Sequence, residues 1–443
     1  MSPVSPSFHF HALMALHWGY RQLTASLHRL VSVASPARSS VSVPIITNAM
    51  SSSANAATGG SVPEGYEKIT EGTITMYYPK SENSVFYNPV QVQNRDLSVL
   101  MIGMYAERRV ERMWVARKRK EVRKRMSQEQ RLVDSTESKS ERKARLDRFE
   151  KDLDAEVERA KASINFTKLA RESSNSNDGM SIFEALAASG LRSLRYWNEV
   201  PGLRTMVVND LDPGAVDLAK ENVIRNGLEE SLVSDDDVEN ENNQDDTTME
   251  VGNDPLKRYN LRPRGIKLQV GDATHEMYMS RIPPTLHPSQ YNATQAKYQK
   301  TQYDVIDLDP YGSAAPFLDA ALQSIVSGGL MCITCTDMAA LGGSHPETCY
   351  GRYGAFPVQR SGYLQELALR ILLYHVSIIA GRYGRTIRPV LSVGMAFYCR
   401  VFVEVWDDKS GVSHLEYRIR NHISVDLHIS YICCLYHRLT IYH

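Results

Sequence analysis

Residues 1–63 of this 443-residue chain contain neither aspartate nor glutamate. Arg21, Arg29 and Arg38 are therefore unopposed, in a stretch rich in serine and alanine. That composition suits a mitochondrial or plastid transit peptide. Leu13, Leu16, Tyr20, Leu23 and Leu27 recur at a spacing that forms one helix face. A merely disordered tail is the competing reading. Met50 lies beyond the basic part, so a product starting there would lack the signal. Cysteine is scarce: six residues, irregularly spaced, exclude a disulfide-built secreted scaffold and fit a reducing compartment. Cys332 and Cys335 come closest to a metal pair, but they lie in a run that reads as a strand, where residues three apart face opposite sides. No metal site is expected there. Apolar runs are also short, and none reaches the ~18 residues of a membrane span, so no membrane partner is expected. Net charge is absent as well, 51 Lys and Arg against 51 Asp and Glu, but this zero hides strong segregation.

The basic side of that segregation runs from Arg108 to Arg131. It includes Arg117-Lys118-Arg119-Lys120 and Arg123-Lys124-Arg125, in a charged helix expected to continue to about Lys168. One-sided charge of this density favours polyanions, nucleic acid above all, with a nuclear import signal as the rival. The acidic side crowds Glu229, Glu230, Asp235, Asp236, Asp237, Glu239, Glu241, Asp245 and Asp246 into a segment nearly free of apolar residues, which reads as a disordered insertion. Between these features strands and helices alternate from about Ser181 to Val405, the pattern of a parallel α/β sheet. Runs at Ser181–Leu186, Met206–Val208, Ile266–Val270, Asp304–Leu308 and Leu330–Thr334 read as strands. The closing runs Pro389–Met395 and Phe397–Val405 would add one antiparallel edge strand. Upstream, Lys68 to Tyr78 suits a hairpin, and Asn94 reads as the N-cap of a helix burying Leu97, Leu100, Met101 and Met104. Arg95 then falls in the first turn, where a cation opposes the helix dipole unless it binds an anion. The expected divisions are 1–63, a hairpin and helix over 64–105, a charged insertion over 106–178, the alternating unit over 179–405 with its acidic loop at 229–256, and a tail from 406 to 443.

Chemistry in an open α/β sheet sits beyond the carboxyl ends of the strands. The strand at 304–308 ends in Asp309-Pro310-Tyr311-Gly312-Ser313. This is either an ordinary Asp-Pro turn or an acid and an exposed ring that can hold a flat, amine-bearing base. The first strand-to-helix turn carries one glycine, Gly190, where a dinucleotide fingerprint needs three. Asp210 ends the second strand, where an acid takes ribose hydroxyls, and Asp272 ends the third, within reach of an adenine amine. A nucleoside without pyrophosphate, with Arg95 and Arg192 for a carboxylate, describes S-adenosylmethionine. Each acid alone equally suits a helix cap.

Taken in order, Phe86-Tyr87-Asn88-Pro89, Asn94-Arg95-Asp96, Ala188-Ser189-Gly190-Leu191-Arg192, Asn209-Asp210, Gly271-Asp272-Ala273 and Asp309-Pro310-Tyr311-Gly312-Ser313 resemble the tRNA (guanine-26) N2-dimethyltransferase family over roughly residues 66–405. The resemblance implies a Rossmann-like class I methyltransferase fold and transfer of methyl groups from S-adenosylmethionine to the exocyclic amine of a guanine in tRNA. It implies that Arg95, Arg192, Asp210, Asp272 and Ala273 hold the cofactor and that Asp309 is the acid-base residue. Physical reasoning adds the carbonyl of Pro310 as a second acceptor for the amine, and Tyr311 as a stacking platform for a base taken out of its helix. Gly342-Gly343-Ser344-His345-Pro346 resembles a family loop that shapes the base pocket, with no catalytic role for His345. Arg352, Arg360 and the helix from Gly362 are expected tRNA contacts, and a monomer is expected. After Val405 the chain departs from the family pattern, whose eukaryotic members carry cysteine pairs suited to zinc in a second domain. A product that binds cofactor and RNA without turnover, and an amino-methyltransferase acting on DNA adenine, are the rival readings. The expected location is the nucleus, and a mitochondrion or plastid through the N-terminal stretch.

Overall fold

The computed structural model describes residues 62, 64–80, 87–130, 139–176, 178–233, 264–281, 302–359, 362–395, 397–414, 432–436 and 438–440. All of the acid-free N-terminal stretch but Val62, together with Phe86, Arg360 and most of the acidic insertion, lies outside them. The insertion's first residues are described: Glu229–Ser231 form a 3-10 turn, and Leu232 bridges to Ile266.

Strands β1 (Tyr66–Glu71) and β2 (Ile74–Pro79) form the expected hairpin. Helix α1 (Val92–Gln130) follows, then α2 (Lys139–Lys161) and α3 (Phe166–Ser173). The alternating unit comprises β3 (Met180–Glu184), α4 (Leu191–Glu199), β4 (Leu203–Asp210), α5 (Pro213–Arg225), β5 (Gly265–Val270), α6 (Ala273–Met279) and β6 (Tyr303–Leu308). It continues with α7 (Ala315–Ser324), β7 (Ile325–Cys335), α8 (Met338–Leu341), α9 (Pro346–Tyr353), α10 (Leu364–Arg382), β8 (Arg385–Gly394), β9 (Cys399–Asp407) and α11 (Lys409–Ser413). Strands β10 (Ile432–Tyr436) and β11 (Arg438–Thr440) extend the sheet beyond β8.

Strand order is β5-β4-β3-β6-β7-β9-β8, followed by β10 and β11. Strands β3 to β7 are mutually parallel, and β9 runs antiparallel to both β7 and β8. The antiparallel strand of the closing pair is thus interior, not at the edge: β8 crosses over to pair on its far side. Every residue of β3 and β6 is buried, as strands covered on both faces require. Alternation divides their side chains between two core layers. Phe183, Ile306, Leu308 and Cys335 face α7 and α10, whereas Ile182, Val305 and Cys332 face α1 and α4. Cys332 and Cys335 therefore point to opposite sides of β7. Helix α10 has the length and apolarity to pass for a membrane span, contrary to the expectation from the sequence. Its Leu369, Leu372 and Val376 are buried in the core layer against the sheet.

Two other expectations change. Asn88, not Asn94, caps the start of the first helical segment by accepting from the Val90 N–H at 3.0 Å, and Asn94 lies inside α1, fully buried. Among the described residues the charged segment forms separate helices, α1 and α2, with Val122, Phe149, Leu153 and Val157 packed between them. Consequently much of the basic run is answered internally: Arg123 pairs with Glu150, Arg119 with Glu150 and Asp154, Arg125 with Glu156, and Arg117 with Asp178.

Candidate active site

The sheet reverses its strand order between β3 and β6, and the loops that leave these two strands open a crevice at their carboxyl ends. In the turn after β3, Ala188 adopts a φ of 48°, uncommon for a residue with a side chain. Its N–H donates to Asp210 Oδ2 at 2.8 Å, which helps hold the strained turn against the end of β4. Gly190 follows at φ 76°, and a Cβ there would lie 2.9 Å from Ala219 Cβ, so only glycine lets α5 approach. Asp210 Oδ1 accepts from the Asp212 N–H at 3.0 Å, so both oxygens of Asp210 also order backbone. Asp272 caps α6 through Oδ1, accepting from Thr274 N–H at 2.7 Å and His275 N–H at 3.2 Å, with Ala273 buried behind it. Between them Asn209 donates to the carbonyls of Ala185 and Gly271, while its buried Oδ1 has no hydrogen-bond partner among the described residues.

The turn after β6 is pinned to β7. Gly312, at φ 79°, gives its N–H to Thr336 Oγ1 at 2.7 Å and accepts from the Thr336 N–H at 2.8 Å. Ser313 Oγ meets the Tyr353 hydroxyl at 2.6 Å, and that hydroxyl donates to Asp337. This bracing leaves Tyr311 84% exposed, a ring standing in solvent on a fixed turn. Desolvation, then the charges of Asp309 and Asp210, raise its phenol pKa, so the ring lies in the field of both rim acids. Asp309 itself is 15% exposed and accepts a hydrogen bond from Arg192 Nη2.

Arg192 enters from α4 and links Asp309 to Asp307, 3.3 Å from its Nη1. Asp307 is fully buried, gripped by both Nη atoms of Arg400 at 2.8 and 2.9 Å and by the Tyr196 hydroxyl at 2.5 Å. Arg400 also donates to Thr334 and to Ser98 of α1. Sequence reasoning passed over Arg400 and Glu184 and took Asp307 as a plain strand residue. The available signal was an arginine in the apolar first half of β9, Cys399–Val403. Arg95 is neither exposed nor turned toward an empty dipole: Glu71, at the end of β1, takes its Nε at 2.7 Å and Nη2 at 2.5 Å. Glu71 also binds Arg195 at 2.7 Å. The anion that explains a cation in that first turn is thus one of the protein's own. His345 is exposed beside Glu347, and Arg352 pairs with Asp337 at 2.8 Å.

Parallel strands with the β3/β6 reversal, an inserted antiparallel β9 and acids at successive strand ends define a Rossmann-like class I methyltransferase fold. A family model for the N2,N2-dimethylguanosine tRNA methyltransferases matches residues 65–255 and 277–423, and the chain belongs to that family. It is 35% identical to the human tRNA (guanine(26)-N(2))-dimethyltransferase over 349 residues, covering 78% of this chain and 42% of that protein. The enzyme of the same name from Schizosaccharomyces pombe is 36% identical over 341 residues, 76% of this chain and 48% of that one. The chain thus spans about half the length of the curated relatives it matches. Among solved structures, Trm1 from Pyrococcus horikoshii in complex with S-adenosyl-L-methionine superposes with a TM-score of 0.48 and 21% identity, over 79% of this chain and 64% of that one.

Proposed function

We propose that this chain methylates the exocyclic N2 of guanosine 26 in tRNA, using S-adenosylmethionine and giving N2,N2-dimethylguanosine. The observation that carries the reading is the braced turn at the switch point, which holds a partly exposed carboxylate, Asp309, next to a solvent-exposed ring, Tyr311. The cofactor fits the rim: Asp210 and Asp272 are at successive strand ends for its nucleoside, and Asn209 Oδ1 is a buried acceptor without a partner among the described residues; Arg95 and Arg192, each already paired with carboxylates of the protein, are the proposed cations for its carboxylate. When bound it supplies a methyl group on a sulfonium.

The chain's own residues do the rest. A guanine amine is a weak nucleophile because its lone pair is delocalised into the ring. Asp309 and the Pro310 carbonyl accept its two hydrogens and favour a pyramidal nitrogen with the lone pair turned to the methyl. Asp309 would take the proton the amine releases as its bond to the methyl group forms and the methyl–sulfur bond breaks. Tyr311 stacks on the base, which has to leave its helical stack to be reached, and fixed alignment provides much of the rate. Arg192, which donates to Asp309, keeps its carboxylate oriented between turnovers. Arg352, Arg360 and the helix from Gly362 are the proposed tRNA contacts.

Incubation with methyl-labelled cofactor and unmodified tRNA, followed by digestion to nucleosides, tests this. Labelled dimethylguanosine is expected, and Asp309→Ala should lose at least 100-fold in rate, the scale of general base catalysis. Labelled methyladenine in DNA, or cofactor binding with no labelled nucleoside, would overturn the proposal. So would an Asp309→Ala protein as fast as its parent.

A further inference from the structure

The face of the sheet covered by α1 holds two polar atoms that the proposed chemistry has not used. Tyr398 immediately precedes β9, and Cys399 pairs with Cys335 of β7 while Leu308 of β6 pairs with Ile333. Tyr398 therefore stands at the same rim as Asp309, two strands or roughly 10 Å across the sheet. Its side chain shares a face with Arg400, which reaches Asp307 and Ser98 of α1. Only 1% of Tyr398 is exposed, and its hydroxyl has no hydrogen-bond partner among the described residues. Burial, the largest influence, raises its pKa to about 12, and the charges that act on it belong to Arg400, Asp309, Arg192 and Arg95. The hydroxyl is accordingly a protonated donor inside the cluster read as the methyl-transfer site.

The second atom is Asn94 Oδ1. Asn94 is fully buried in the first turn of α1, one residue before Arg95. Its Nδ2 donates to Gln91 Oε1 at 3.1 Å and to Thr334 Oγ1 at 3.5 Å, and Arg400 donates to the same Thr334 oxygen at 2.7 Å. Its Oδ1 has no hydrogen-bond partner among the described residues. Buried polar atoms are nearly always satisfied, so these two, beside Arg400 Nε, which is also unpaired among the described residues, call for an occupant. They are complementary: one donates and one accepts, with two arginines alongside. An α-amino acid zwitterion has that pattern, since its carboxylate needs donors and its ammonium needs an acceptor.

We propose that Tyr398 and Asn94 bind the amino-acid end of the methyl donor, Tyr398 Oη donating to the α-carboxylate and Asn94 Oδ1 accepting from the α-ammonium. The inference rests on the reading that this rim binds S-adenosylmethionine. Calorimetric titration with two ligands separates the inference from that reading. S-adenosylhomocysteine carries the amino-acid end; 5′-methylthioadenosine has the same nucleoside without it. Tyr398→Phe and Asn94→Ala should each weaken S-adenosylhomocysteine about tenfold or more, the usual loss for a hydrogen bond to a charged group. Both variants should bind 5′-methylthioadenosine as the parent does, which also shows that they are folded. Unchanged S-adenosylhomocysteine affinity in both variants overturns the inference, as does equal weakening of the two ligands. If Tyr398→Phe changes tRNA affinity and leaves S-adenosylhomocysteine untouched, the hydroxyl serves the base and the inference is wrong. If the parent protein binds neither ligand, the methyl-donor reading itself fails.

Discussion

Three carboxylates, those of Glu184, Asp307 and Asp309, share two guanidiniums, those of Arg192 and Arg400, in largely buried space. Charge balance there requires one acid to keep its proton, and surroundings select which. Asp307 resists burial because Arg400 and Arg192 hold it down to about 2, aided by the Tyr196 hydroxyl. Glu184 is pushed up to about 8: burial dominates, Arg192 at 3.7 Å opposes it, and the negative charges of Asp307 and Asp309 add to the rise. The native state thus holds a proton on Glu184 that an unfolded chain releases near pH 4.5. A raised carboxylate contributes stability fully present below the unfolded value and lost as pH climbs through the folded one. Unfolding free energy should therefore decline between about pH 4.5 and 8 through this group. Glu184→Gln, neutral at every pH, should flatten that decline in urea titrations across the range. A slope identical to the parent's would show that Glu184 is charged in the fold.

At the scale of elements, the β1–β2 hairpin is held to the sheet domain by two asparagines one helical turn apart. On α5, Asn222 Oδ1 accepts from the Tyr77 N–H at 2.8 Å and Asn226 Oδ1 from the Thr75 N–H at 3.0 Å, and both amides return hydrogen bonds to β2 carbonyls. They occupy the edge that β2 would otherwise expose. The first strand of the hairpin ends at Glu71, which positions Arg95 and Arg195. The double variant Asn222→Ala and Asn226→Ala removes four hydrogen bonds, each worth about 1 kcal/mol. Amide exchange should speed up in residues 66–79 well before the sheet opens, and S-adenosylhomocysteine affinity should fall with it. Exchange unchanged in the hairpin would show that the core contacts of Ile74 and Met76 suffice. The α1–α2 pair shows the opposite lesson: in a basic run that reads in isolation as a polyanion surface, Arg119, Arg123 and Arg125 pair with acids of α2.

For the whole molecule, the acid-free first 63 residues are proposed to direct the protein to an organelle, with the nucleus served by a product starting at Met50. A fluorescent protein fused after residue 63 should enter mitochondria or plastids, and the same fusion with Arg21, Arg29 and Arg38 replaced by alanine should stay outside. Import of both, or of neither, would remove the targeting reading.

The sequence by itself determined the alternating strands, the acids at their ends and the Asp-Pro-Tyr-Gly turn. These depend on local rules: alternation of burial, a proline that stops a strand, an aspartate that caps a helix, as Asp212 and Asp272 do. Only the tertiary structure decided which charges meet. Arg400 finds Asp307 93 residues away and Ser98 302 residues away, Arg95 finds Glu71, and β9 slips inside β8. Partners so distant along the chain leave no spacing to read; packing alone brings them within the few ångströms over which a hydrogen bond acts. The rim turn with Asp309 and Tyr311 was legible because one run of chain builds it. The buried network behind it, with Tyr398 and Asn94 at its edge, was not.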